Sequence, residues 1–176
     1  MTKRPAVICH CQEHGFARLT KWATALFSVE DLASVSDRSW GLHVGNGRSY
    51  AAGRRDGSLT LMHRHVLAGE TGQHVDHRNH DGLDNRRSNL RPCTPSQNFR
   101  NARKSARGTS RFKGVSVVGD KFVARIYHDG RSVWLGRFDK EIDAAKAYDH
   151  AASSLSPEFA ATNASLGLTK KIEGES

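Results

Sequence analysis

Along the last third of the chain, apolar and polar residues take turns in short runs. Phe122, Ala124 and Ile126 alternate with Val123, Arg125 and Tyr127, which is the period of a strand. Asp129-Gly130 follows, a two-residue turn suited to the positive φ angles of a hairpin. Ser132-Val133-Trp134-Leu135 supplies the partner strand, and Val115 and Val117 mark an earlier one turned at Gly119-Asp120. Asp139 offers an N-cap. Ile142, Ala145, Tyr148, Ala152 and Leu155 then form one apolar stripe on a helix of about four turns. The pattern predicts three strands covered on one face by a helix. Alternation places Val115, Val117, Phe122, Ala124, Ile126, Val133 and Leu135 against that helix. Ser116, Arg125, Tyr127, Ser132 and Trp134 face outward.

Upstream the periodicity is weaker. Residues 1–62 read as mixed strands and loops, with an apolar stretch from Trp22 to Val35 and a Gly-punctuated run from Trp40 to Gly47. Residues 63–101 are dense in His, Asp, Asn and Arg. Asp76 and His77 end a strand entered through Gly72. Residues 78–89 are turn-rich, and Asp84-Asn85 favours a tight loop. A short strand around Leu90 comes next. Thr94-Pro95-Ser96-Gln97 has the parts of a helix start: Thr94 as N-cap, Pro95 at N1 and Gln97 closing a capping box. Asn98 therefore lies in the first turn of a helix. Residues 102–110 are basic and small and read as a linker, 111–165 as the second domain, and 166–176 as a disordered tail. The expected fold class is α+β.

Composition adds a partner. There are 27 Lys and Arg against 18 Asp and Glu, a net charge of +9, and the pI of about 9.9 suits nucleic acid. No apolar run approaches the ~20 residues that span a bilayer, and the N-terminus lacks the apolar region of a secretory signal. A cytoplasmic protein with no membrane partner is expected. Three cysteines, an odd number, argue against a disulfide framework. Cys9, Cys11 and His14 could bind a metal with His10 or Cys93. However, Cys-x-Cys is not the usual zinc-knuckle spacing and no second pair follows, so a structural zinc is not the expected reading.

The residue types in 63–101 suit phosphodiester hydrolysis. That reaction needs a base for water and a cation to stabilise the leaving 3′ oxygen. Histidine is the natural base near neutral pH. Asp76 and Asn98 offer hard oxygen ligands, and two such ligands suit a single Mg²⁺ (or Mn²⁺) completed by waters and phosphate. Neighbours in a regular strand point to opposite faces, so Asp76 and His77 can share a site only if the strand twists, bulges or ends there. His63 and His65 read as structural, and His80 as a loop residue exposed or near DNA.

At these residues the sequence resembles the HNH, or ββα-metal, nucleases, and within them the phage and intron homing-endonuclease branch. The resemblance is carried by Met62-His63-Arg64 with Val66-Leu67, by Val75-Asp76-His77-Arg78-Asn79, by the run from Leu83 to Arg91, and by Gln97-Asn98. It implies that Asp76 and Asn98 bind the metal and that His77 is the general base. It also implies that Asn89 is the middle catalytic residue, which braces the loop and orients the base, and that Arg91 touches the scissile phosphate or a neighbour. Asn98 stands where other branches carry the last histidine.

Residues 111–163 resemble the apetala/ethylene-response-factor DNA-binding domain of plants, which also occurs fused to phage HNH nucleases. Phe112-Lys113-Gly114-Val115, Phe122 to Ile126, Val133 to Phe138, Ala144 to Asp149, Phe159-Ala160 and Asn163 carry it. That family lays its sheet in the major groove. The resemblance implies that Arg125, Tyr127 and Trp134 meet DNA while Lys113 and Arg131 reach phosphates. Ser116 and Ser132 stand where plant domains often carry arginine, so plant sequence preference does not transfer. The combined expectation is a monomeric homing-type endonuclease acting on double-stranded DNA. A phage packaging or repair nuclease, and a DNA-binding regulator with an inactive nuclease, are the alternatives.

Overall fold

Short strands joined by tight turns dominate the first half of the chain because few apolar residues follow one another there. The computed structural model describes residues 6–45, 47–55, 57–67, 74–105 and 108–169. Gly72, Arg107 and the last seven residues of the expected tail lie outside them. The result is a mixed α+β chain of several small sheets and few helices. It divides into two compact units, residues 1–93 and 94–176.

In the first unit, β1 (Ala6–Ile8), β2 (His14–Arg18) and β3 (Thr24–Ser28) form an antiparallel meander, followed by the one-turn α1 (Leu32–Val35). A second meander comprises β4 (Trp40–Gly45), β5 (Arg48–Arg55) and β6 (Ser58–Leu61), and leads straight into α2 (Met62–Val66). Then come β7 (His74–His77), the two-residue β8 (Asp84–Asn85) and β9 (Leu90–Cys93). Phe27, Val35 and Met62 are fully buried and form one core with Leu67, Val75 and Leu90. The Trp40 indole donates to Val35 O at 2.8 Å, so even the large aromatic is satisfied inside.

Asp84-Asn85 departs from the expected tight loop. These two residues add a parallel strand to the open edge of β3, pairing Leu26 with Asp84 and Phe27 with Asn85. The partner lies almost sixty residues upstream, and local turn propensity carries no trace of it.

The second unit opens on α3 (Pro95–Asn101), whose capping box forms as read: Thr94 Oγ1 accepts from Gln97 N, and Gln97 Oε1 accepts from Thr94 N. The strands β10 (Val115–Val118), β11 (Lys121–His128) and β12 (Arg131–Phe138) make an antiparallel sheet, followed by α4 (Glu141–Leu155). Phe112, Val115 and Ala124 pack with Ala144 and Ala145 of the helix, and Ile126 packs with Tyr148 and Ala152. Gly114, at φ +75°, lies under the Tyr148 ring, where an added Cβ would meet Cδ2 at 1.9 Å. No larger residue fits.

Three local expectations change. Asp139 does not cap α4; the N-cap is Lys140, without a side-chain bond, while Asp139 pairs with Lys121. Val117 and Val133 are expected under the helix but stay exposed, because they lie on the edge strands β10 and β12 while the helix packs over the central β11. Leu155, at the last position of the helix, is likewise exposed. The five side chains read as outward, Ser116, Arg125, Tyr127, Ser132 and Trp134, are all exposed.

Candidate active site

β7 and β9 form a regular antiparallel ladder pairing Val75 with Pro92, Asp76 with Arg91 and His77 with Leu90. No bulge interrupts it. The strand simply ends at His77, and the chain turns away through Arg78 and Asn79, with His80 in left-handed backbone at φ +62°. The strand therefore ends at the site, with neither a twist nor a bulge needed.

Asp76 and Arg91, opposite each other, make a buried ion pair. Arg91 donates through Nε at 2.8 Å and Nη2 at 2.7 Å, both to Asp76 Oδ2. Both side chains are about 7% exposed. A carboxylate this deep would be very costly without such a partner. Arg91 was expected at the DNA surface; the structure places it inside the unit, engaged with Asp76.

His77 sits among aromatic rings. The His63 ring lies edge-on at 4.9 Å between centroids, and Tyr50 is 6.1 Å from His77 and 5.7 Å from His63. Burial pushes the His77 pKa below its ordinary 6.5, opposed by a hydrogen-bonding contact with Asn85 and by the charges of Asp76, Asp81 and Asp84. Burial pushes His63 further, to about 3, helped by the charges of His77 and Arg64. At neutral pH both imidazoles are uncharged, the state a proton acceptor needs.

The loop between β7 and β9 is held by side-chain bonds. Asn89 accepts from Asn79 N at 3.0 Å and donates through Nδ2 to Asp84 O at 2.7 Å, so one amide ties both ends of the loop. Asn79 Nδ2 donates to Asp84 Oδ2, and Arg86 grips the same carboxylate through Nε and Nη2. Arg87 reaches back to Asp31 and to Val66 O, and its main-chain N–H donates to Ser28 Oγ. Gly82 makes a close approach possible: a Cβ there would lie 2.3 Å from Ser49 O and 2.6 Å from the Tyr50 ring.

Sequence reasoning treated His63 as structural and passed over Tyr50 and Asn85, the three groups around His77. His63 and Asn85 carry a signal in the sequence, since they fall within Met62-His63-Arg64 and the run from Leu83 to Arg91. Tyr50 arrives from another sheet with no local signal. His65, the other histidine read as structural, bonds Ser34 O at 2.9 Å and lies tilted beside the Trp40 ring, 5.5 Å between centroids.

The remaining expected residues belong to the second unit. Asn98 lies in the first turn of α3, which is the helix expected for it. Arg125 and Trp134 are cross-strand partners on the outward sheet face, as are Tyr127 and Ser132; Trp134 is 61% exposed. Arg131 is exposed at the hairpin turn. Lys113 is placed otherwise. Its ammonium donates to Arg100 O at 2.6 Å and Ala102 O at 2.8 Å, the free carbonyls at the end of α3. Burial draws its pKa down to about 8. Among the described residues one further cluster could hold a metal: the ligand atoms of Cys9, Cys11 and His14 lie within 4.8 Å of one another.

The chain is 36% identical over 91 residues to an uncharacterized HNH endonuclease of Acanthamoeba polyphaga mimivirus, over 51% of this chain and 46% of that one. It thus spans less than half the length of the curated relative it matches. No solved structure matches. Residues 60–100, a segment that takes in His63, Asp76, His77, Asn89 and Asn98, match the family model described as HNH endonuclease.

Proposed function

We propose that this chain is a metal-dependent DNA endonuclease of the homing type. On this reading it hydrolyses a phosphodiester of duplex DNA to a 5′ phosphate and a 3′ hydroxyl. One observation carries the reading: Asp76 and His77 close a strand whose following loop is tied by Asn89, all within the segment matching HNH endonucleases.

The donor chemistry fits a hard cation. Asp76 would hold one Mg²⁺ (or Mn²⁺), which would supply positive charge for the leaving oxygen; Asn98 is the second ligand that the HNH resemblance implies. The protein's own residues do the rest. His77, neutral at physiological pH, accepts the proton of the attacking water as the new P–O bond forms and the P–O3′ bond breaks, and the leaving O3′ takes a proton from solvent water. Asn89 keeps the loop, and with it the end of β7, in one conformation. Arg91 neutralises and orients the Asp76 carboxylate. His63 and Tyr50 wall the His77 ring and limit its rotation.

The outward face of β10–β12, with Arg125, Tyr127 and Trp134, would lie against DNA, with Arg131 reaching a phosphate. An exposed Trp paired across strands with an Arg suits base and sugar contacts. A plant-type apetala/ethylene-response-factor module, a monomeric state, a phage or intron origin and a cytoplasmic site of action complete the proposal. Among the described residues, no helix is long and apolar enough to cross a membrane.

The test is Mg²⁺-dependent nicking of plasmids carrying the DNA that flanks the gene. His77→Ala should lose about 100-fold or more in rate, the typical contribution of a positioned base, while still binding the DNA. Asp76→Asn should lose cutting and its dependence on added Mg²⁺. A wild-type protein that binds such DNA without cutting it would favour the regulator reading, and an unimpaired His77→Ala would remove His77 from the base role.

A further inference from the structure

The turn between β1 and β2 holds chemistry that the nuclease reading does not use. β1 has only three residues, and its pairing with β2 ends at Ile8 opposite Gly15. Beyond it, Cys9 N donates to His14 O and Gln12 N donates to Cys9 O, both at 2.9 Å. Gln12 takes left-handed backbone, φ +59°, which is uncommon for a residue with a side chain. That kink folds the turn back on itself and gathers Cys9, Cys11 and His14.

We propose that Cys9, Cys11 and His14 form a zinc site that closes this hairpin, distinct from the cation site at Asp76 and independent of the nuclease reading. The donor set is soft, two thiolates and an imidazole, which selects Zn²⁺ over Mg²⁺. The spacing of Cys11 and His14 is that of two ligands around a tetrahedral ion. Zn–S of about 2.3 Å and Zn–N of about 2.0–2.1 Å at a tetrahedral angle put sulfur and nitrogen about 3.5 Å apart. Cys11 Sγ and His14 Nδ1 are 3.5 Å apart, and the three ligand atoms together lie within 4.8 Å. Cys11 is exposed and Cys9 and His14 are half-buried, so the ion can enter from solvent, and a water completes the fourth position.

Binding requires the thiols to lose their protons. Two thiolates, one neutral imidazole and Zn²⁺ give a site of zero net charge, with two protons released to solvent. The Cys-x-Cys spacing, too short for a knuckle within one loop, works here because the kinked turn supplies the curvature that extra residues would otherwise provide.

The experiment is metal analysis of the full-length protein purified without chelators, together with Co²⁺ titration of the chelator-treated protein. The expected result is one zinc per chain and, with Co²⁺, the thiolate charge-transfer band and intense visible bands of a tetrahedral sulfur-bound ion. Cys9→Ser and Cys11→Ser should each reduce retained zinc at least tenfold, and Cys93→Ser should retain it in full. Circular dichroism checks that each variant is folded. If a variant fails to fold, the wild-type Co²⁺ spectrum alone decides the matter. Folded wild-type protein without zinc and without the sulfur-to-cobalt band would overturn the site, as would folded Cys9→Ser and Cys11→Ser variants that keep full zinc.

Discussion

His63 and His77 show how position sets chemistry for one side chain. Both have pKa values pushed down, first by burial, so the unfolded chain binds more protons than the folded one once pH falls below the ordinary 6.5. Their contribution to stability is whole above pH 6.5. It is lost progressively as pH falls, down to about 3 for His63. For His63 the loss in that window is on the order of 1 kcal/mol per pH unit. Urea unfolding followed between pH 7 and pH 4.5, above the range where most carboxylates titrate, should show a steeper fall for wild type than for His63→Gln. Equal slopes would mean that His63 titrates as an ordinary solvated histidine. Arg91 makes a second point at this scale. Arg91→Leu leaves a buried carboxylate without its guanidinium and should cost about 3–5 kcal/mol, read as a drop in urea midpoint. A residue whose chief role was to contact DNA would show a binding defect at unchanged stability.

The two longest helices illustrate opposite ways of starting. α3 is announced by its own capping box, and the structure makes both of its bonds. Thr94→Ala should cost about 1 kcal/mol and expose the Gln97 and Asn98 amides to faster hydrogen exchange. α4 begins on Lys140 with no side-chain cap, because Asp139 is engaged by Lys121 from β11. Lys140→Asp should therefore stabilise the protein by roughly 0.5–1 kcal/mol, through a cap bond and a favourable charge at the helix N-terminus. A lower melting temperature for this variant would show that the Lys140 charge matters more than the missing cap. β8 lies between these cases: it is a strand only because β3 offers it an edge.

For the whole molecule, basic residues outnumber acidic ones in both units, so binding to DNA should weaken steeply with salt wherever the specific contacts lie. Arg125→Ala should weaken binding about tenfold or more and reduce the salt slope by about one. Trp134→Ala should weaken binding with the slope unchanged, because it carries no charge. Lys113→Ala should do the reverse of Arg125→Ala. Its ammonium is already committed to the carbonyls that end α3, so stability should fall and the salt slope should stay. Fluorescence anisotropy over a salt series separates the three.

Much of this protein was legible from the order of its residues, and the reason is range. The hairpin of β11 and β12, the stripe on α4, the capping box of α3 and the strand ending at His77 all depend on neighbours a few positions away, and alternation, turn chemistry and caps report such neighbours. The HNH segment was legible too, because its spaced polar positions are themselves the signal. Three-dimensional packing settled what depends on distant partners. It set Asn85, His63 and Tyr50 around His77, drew Arg91 inward to Asp76, turned Lys113 onto a helix end and folded Cys9, Cys11 and His14 together. A buried charge takes the nearest counter-charge and a ring takes the nearest void. Which ones are nearest is a property of the folded core, where residues tens of positions apart share one small volume.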